Sequence, residues 1–178
     1  MPKPRYTVAN LAAASSIGFL IKRCGVLMTQ IAERRFESTA VSFTQWMTLM
    51  RLSAFPEPIS ATQLSKEVCH DMGALTRVVD ELERRGLVRR ERSRRDRRAV
   101  ELAITPAGRR EAENAKRVVV DLLNELVDPY SDGEFTTLLG LLQRMHVHLQ
   151  DAAAASPAVP APDVRSTTGR TSQRQVRR

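Results

Sequence analysis

A mainly α-helical fold interrupted by one small β-hairpin is what this sequence predicts, and three observations carry the prediction. Apolar residues recur at helical spacing over most of the chain, but the period switches to alternation at Leu87–Glu91 and again at Ala99–Ile104. Between those two segments the chain is strongly basic: seven of the ten residues Arg89–Arg98 are arginine, offset only by Glu91 and Asp96. Residues that start and stop helices stand where the period changes, with Gly86 before the first strand and Thr105-Pro106 after the second.

Each element follows in order. From Thr7 to about Phe36, the apolar positions Ile17, Leu20, Ile21, Cys24, Leu27, Met28 and Ile31 predict one long amphipathic helix. A second helix follows Ser38–Ser42 and carries Phe43, Trp46, Met47, Leu49, Met50 and Leu52. Phe55-Pro56-Glu57-Pro58 ends it, because proline lacks an N–H and restricts the residue before it. Ser60 is an N-cap with Gln63 at the capping-box position, and Ile59 and Leu64 form a hydrophobic staple; this helix reaches about Val68. Cys69–Gly73 makes a tight break with Asp71 as the next cap. A further helix runs to Gly86 with Leu75, Val78, Val79 and Leu82 inward.

The hairpin places Val100, Leu102 and Ile104 on one face. Thr105 caps a helix reaching about Val127, with Val118, Val119, Leu122, Leu123 and Leu126 apolar. Ser131–Glu134 is a second capping box, opening a last helix through Leu149. Residues 151–178 are Ala/Pro-rich and then polar and basic, the composition of a disordered tail. Beyond Asp151, Arg165, Arg170, Arg174, Arg177 and Arg178 against Asp163 give residues 152–178 +4 of the chain's net charge of +8.

Composition bounds the function. A chain of 178 residues suits one domain, and 42% hydrophobic residues suffice for a core. Of 28 basic residues 24 are arginine, which favours a polyanionic partner such as nucleic acid, although GC-rich codon usage also raises arginine. Two cysteines make no disulfide framework, and no apolar run reaches the roughly 18 residues of a membrane helix, so a soluble cytoplasmic protein is expected. No cofactor loop, nucleophile–base pair or metal-ligand spacing suggests an enzyme. His146 and His148 are two apart on a helix, and His70 stands alone.

Short helix, tight turn, helix, strand, basic loop, strand is the order of a winged helix-turn-helix. Its second helix presents an outer face to the major groove: Gly73 and Ala74 allow close approach, Thr76 can bond a base or phosphate, and Arg77 can grip a guanine edge or the backbone. Pairing of Arg77 with Asp80 or Glu81 on a solvated face is the competing account. In full, Thr76–Gly108 resembles the signature of the MarR (multiple-antibiotic-resistance regulator) family. The matching phrases are Leu82-Glu83-Arg84-Arg85-Gly86, Asp96-Arg97-Arg98 and Ile104-Thr105-Pro106-Ala107-Gly108, with Ile for Leu at position 104 the one departure. The resemblance extends over about residues 10–150, including Phe43–Met50.

That resemblance implies a winged helix-turn-helix on a helical dimerisation scaffold over residues 7–150. Helices of about 7–36, 106–127 and 131–150 form the dimer interface, and about 42–105 bind DNA. It implies a homodimeric repressor on a palindromic operator, with Arg98 entering the minor groove, Asp96 organising it, and Arg94, Arg95 and Arg97 adding phosphate contacts. It also implies a small aromatic or phenolic effector, in a pocket lined by Leu20, Arg23, Cys24, Met28, Phe43, Trp46, Met47 and Met50. An ordinary core at helical spacing is the alternative for those residues, with Cys24 facing inward. Two other functional readings stay open: a redox-sensing repressor using Cys24 or Cys69, and a non-specific architectural DNA-binding protein dominated by its tail.

Overall fold

The computed structural model describes residues 4–12, 16–68, 72–93 and 99–155. The chain divides into two units, Met1–Asp128 and Pro129–Arg178. The first contains helices α1 (Ile17–Phe36), α2 (Phe43–Ser53), α3 (Ala61–Val68), α4 (Met72–Arg84) and α5 (Pro106–Val127), with strands β1 (Ile59–Ser60), β2 (Val88–Arg92) and β3 (Val100–Ile104). The second contains α6 (Asp132–Ala155).

The first helix starts ten residues later than its periodicity implied. Thr7 and Asn10 bond each other's backbones through their side chains, at 2.6 Å for the Thr7 N–H to Asn10 Oδ1, and hold residues 8–10 in a turn. Short polar side chains compete with the helical ladder in this way. Ser16 is the real cap, its hydroxyl accepting the Phe19 N–H at 3.1 Å, and the Ile17 N–H donates to the Tyr6 hydroxyl.

Three short polar devices fix the other helix starts. Ser42 and Gln45 form a reciprocal capping box on α2, and the Glu33 carboxylate of α1 accepts the Phe43 and Thr44 N–H groups, each at 3.1 Å. An acid there also meets the positive end of the helix dipole. Ser60 caps α3 by accepting the Gln63 N–H. Thr105 caps α5 with Pro106 at its first position. Gly86 takes φ 69°, the left-handed conformation that releases the chain from α4 into β2.

The sheet has the order β1-β3-β2 and is antiparallel throughout. Its third strand, β1, was not legible in the sequence: two residues have no period, and Ile59 and Ser60 are strand only because they pair with Leu102 and Glu101. Leu102 and Ile104 are buried as expected, whereas Val100 is 51% exposed because it lies where the hairpin runs beyond the core.

The core joins Phe36, Leu49, Leu52, Leu64, Leu75, Val79, Leu82, Val88, Leu102 and Ile104, so α2, α3, α4 and the sheet share one apolar interior. Trp46 ties α2 to α5: its indole N–H donates to the Ala112 carbonyl at 2.9 Å. Phe36 and Phe43 lie against its ring, with centroids 5.9 and 6.0 Å away.

Among the described residues, the second unit holds one long helix. Ser131 and Glu134 form the expected cap, and the Ser131 hydroxyl and N–H hold the Glu134 carboxyl below its ordinary pKa. The helix continues to Ala155, past the composition change at Asp151, because alanine is the strongest helix former. The remainder of the expected tail, 156–178, lies outside the described residues. No residue of α6 is buried, although Phe135, Leu138, Leu139, Leu141, Leu142, Val147 and Leu149 are large and apolar.

Candidate nucleic-acid interface

α3 and α4 follow each other with only residues 69–71 between them, so the expected cap Asp71 and Cys69 lie outside the described residues. Leu75, Val79 and Leu82 are buried and Val78 is half-buried, which fixes the rotation of α4 about its axis. The opposite side then presents Gly73, Thr76, Arg77, Asp80 and Arg84 as exposed, with Ala74 half-buried. The Thr76 hydroxyl donates to the Met72 carbonyl at 2.8 Å, which leaves its oxygen outward as an acceptor.

The acids around Arg77 are engaged elsewhere. Asp80 pairs with Arg90 of β2 at 2.6 Å, and Glu81 pairs with Arg84 on its own helix at 2.6 Å. The Arg84 fork holds the Glu81 carboxyl below its ordinary pKa, and Glu81 raises Arg84 in turn. Among the described residues no ion pair engages Arg77. Its guanidinium therefore stands open on an exposed helix face, and the competing account of a self-neutralised surface does not hold in this structure.

At the other end of α4, Arg85 donates to the Gln45 side chain at 3.2 Å and to the Ala40 carbonyl at 2.7 Å, joining this helix to the start of α2. The hairpin rises beside α4, with the Ser93 N–H donating to the Ala99 carbonyl at 3.0 Å where the strands leave the sheet. The five residues between, Arg94, Arg95, Asp96, Arg97 and Arg98, lie outside the described residues.

The residues expected to line an effector pocket fall into two groups. Phe43, Trp46, Met47 and Met50 belong to the core or pack against it. Leu20, Arg23, Cys24 and Met28 are exposed on α1. Cys24 does not face inward: α1 turns Ala32 and Phe36 to the core and leaves the stripe through Leu20, Cys24, Met28 and Ile31 uncovered in the single chain. Among the described residues no group of His, Cys, Asp and Glu could hold a metal ion, and no helix is long and apolar enough to cross a membrane.

Arg90 and Glu33 are the residues that sequence reasoning missed. Arg90 is one of seven arginines in a run, and nothing in the sequence separates it from its neighbours. Glu33 caps a helix ten residues away, beyond the span of any local capping motif.

Residues 41–100 match the family model described as MarR family. Among solved structures, the chain is similar to a probable transcriptional regulator from Pseudomonas aeruginosa, with 28% identity and a TM-score of 0.65 over 75% of this chain and 99% of that one. It is similar to wild-type MarR from E. coli, a multiple antibiotic resistance repressor, with 27% identity and a TM-score of 0.66 over 73% and 96%. CouR from Rhodococcus jostii RHA1, solved bound to p-coumaroyl-CoA, matches at 25% identity and a TM-score of 0.65 over 84% and 100%. With the mostly helical frame, the three-stranded sheet and the helix-turn-helix in place, residues 41–100 form a MarR-family winged helix-turn-helix region in a chain whose fold is similar to that of these regulators.

Proposed function

We propose that this protein is a homodimeric repressor that reads a palindromic operator with α4 and its wing and leaves it on binding a small aromatic ligand. The observation that carries the reading is Arg77: an open guanidinium on the exposed face of α4, beside Thr76 and the small residues Gly73 and Ala74. That face can enter a major groove, where arginine takes a guanine edge bidentately and the Thr76 oxygen accepts from an amino group. The sequence between β2 and β3 adds Arg94, Arg95, Arg97 and Arg98; on this reading Arg98 takes the minor groove and Asp96 holds it, with the others contacting phosphates.

A second copy supplies the symmetry. Ile17, Leu20, Ile21, Leu27, Met28 and Ile31 on α1 and Phe135, Leu138, Leu139, Leu141, Leu142, Val147 and Leu149 on α6 are exposed in the single chain. Apolar surface of that extent on a helix marks an interface. The aromatic class of effector is supported by the similarity to CouR, whose ligand is p-coumaroyl-CoA, and by the exposed Met28 and Leu20 beside Arg23 on α1.

The test is selection of a duplex from random DNA, followed by footprinting. The expected result is protection of two half-sites about 10 base pairs apart, one helical turn. Arg98→Ala should weaken binding to that duplex by roughly 10–100-fold, the effect of removing one specific base contact; unchanged affinity would remove Arg98 from the groove. Deleting 156–178, which carry +4, should flatten the salt dependence by about 0.9 in log–log slope for each phosphate that the tail neutralises, with sequence preference retained. Loss of preference in that deletion would favour architectural binding instead.

A further inference from the structure

Arg90 of β2 is bonded to α4 through both its guanidinium and its backbone N–H, and among the described residues no other residue of the hairpin forms an ion pair with that helix. Its Nη2 donates to Asp80 at 2.6 Å, its Nη1 donates to Glu83, and its backbone N–H donates to the other Glu83 oxygen at 3.1 Å. The two acids lie three apart on α4 and so share one side of it. A planar guanidinium suits two acceptors at a fixed spacing in a way a lysine ammonium does not.

Packing is incomplete at the same place, although Leu75, Val79 and Leu102 are themselves buried in the core. A cleft of about 140 Å³ opens between α4 and the hairpin, lined by Leu75, Thr76 and Val79 on one side and Val100 and Leu102 on the other, with Arg90 at its rim. Below the cleft the buried Leu82 and Val88 hold the base of the helix to the sheet. At the rim, the polar fork adds two ion pairs between the hairpin and the helix. Arg90 is also held more firmly protonated than an ordinary arginine, through its bonds to Asp80 and Glu83.

We infer that Arg90 is a positioning residue: with Asp80 and Glu83 it sets the angle between the recognition helix and the wing, so that both reach one DNA site together. This rests on the DNA reading above. The lever is short but steep. A strand advances about 3.4 Å per residue, so Ser93 lies roughly 10 Å beyond Arg90, and a rotation of about 10° there displaces it by roughly 2 Å. That displacement breaks a hydrogen bond at the far end. Asp80 and Glu83 thereby gain a reason to exist: two acids on a helix that meets a polyanion weaken attraction to it, and their use is to aim the wing.

This gives a prediction opposite in sign to simple electrostatics. If the acids were bystanders, the double variant Asp80→Asn/Glu83→Gln would bind DNA more tightly, since two repulsive charges are gone. On the inference it binds the selected duplex at least tenfold more weakly, while its affinity for a scrambled duplex of equal length stays the same or rises. Arg90→Gln loses selected binding likewise, and Arg90→Lys recovers only part of it. Amide hydrogen exchange separates positioning from unfolding: protection at Arg92, Ser93 and Val100 falls in Arg90→Gln, while that of α5 is unchanged. Equal or tighter binding of the selected duplex by the double variant, or loss of protection throughout the chain, overturns the inference. A wild type that selects no duplex at all overturns the DNA reading itself, and this inference with it.

Discussion

Gly108→Ala should destabilise the protein by about 2 kcal/mol, although it places the best helix former where the worst non-proline residue now stands. Taken alone, the exchange of glycine for alanine within a helix favours folding by about 0.5–1 kcal/mol. Here a Cβ would lie 2.1 Å from the Leu87 carbonyl oxygen and 2.9 Å from Ile104 Cγ1. The carbonyl cannot retreat freely, because it accepts the Thr105 N–H at 3.0 Å and the Thr105 hydroxyl at 3.2 Å, the bonds that seat α5 on the hairpin. Overpacking against backbone costs about 1–3 kcal/mol or more and outweighs the propensity gain. Gly133→Ala is the control: nothing lies within 4 Å of its added Cβ, so the variant should be neutral or slightly more stable. Urea unfolding of the two variants checks both, and a Gly108→Ala protein as stable as wild type would mean that α5 does not seat this closely.

The larger functional effect is expected on α6. Leu138 and Leu142 lie one turn apart and are 38% and 45% exposed in the single chain, so Leu138→Glu/Leu142→Glu puts two charges on one helical face. On the dimer reading, sedimentation at micromolar concentration should change from a dimer to a monomer. Affinity for the selected duplex should fall by 100-fold or more, because a linked second reading head acts at an effective concentration on the order of millimolar and that advantage vanishes. A variant that remains a dimer would remove this face from the interface. The chain's fold should survive, since α6 contributes no buried residue.

What could be read from the sequence was the chemistry that acts over a few residues. The Thr105-Pro106 start, the Ser131–Glu134 box, the Gly86 stop and the inward stripe of α4 each depend on neighbours within one turn, and each is where its residues placed it. The α1 start failed for the same reason in reverse. Leu11 and the alanines after it continue the helical period, but Thr7, Asn10 and Ser16 settle the backbone through bonds that periodicity ignores.

Pairings between distant segments were out of reach. β1 exists only through its pairing with β3, and Arg90 differs from Arg89 in which way the pleat turns it, and from Arg92 on the same face in standing within reach of Asp80 and Glu83. The exposed face of α4 was legible because burial of one stripe dictates the other, whereas the freedom of Arg77 depended on Asp80 being occupied from another strand.

Trp46 is the chain's one tryptophan, and its place at the joint of α2 and α5 has an optical consequence. Its indole is 8% exposed, flanked by two phenyl rings and bonded to a carbonyl of α5. Emission from such a ring shifts to longer wavelength when water reaches it or its partner leaves. The protein therefore carries a single intrinsic fluorophore whose colour reports the seating of α2 against α5, with no second indole to dilute the signal.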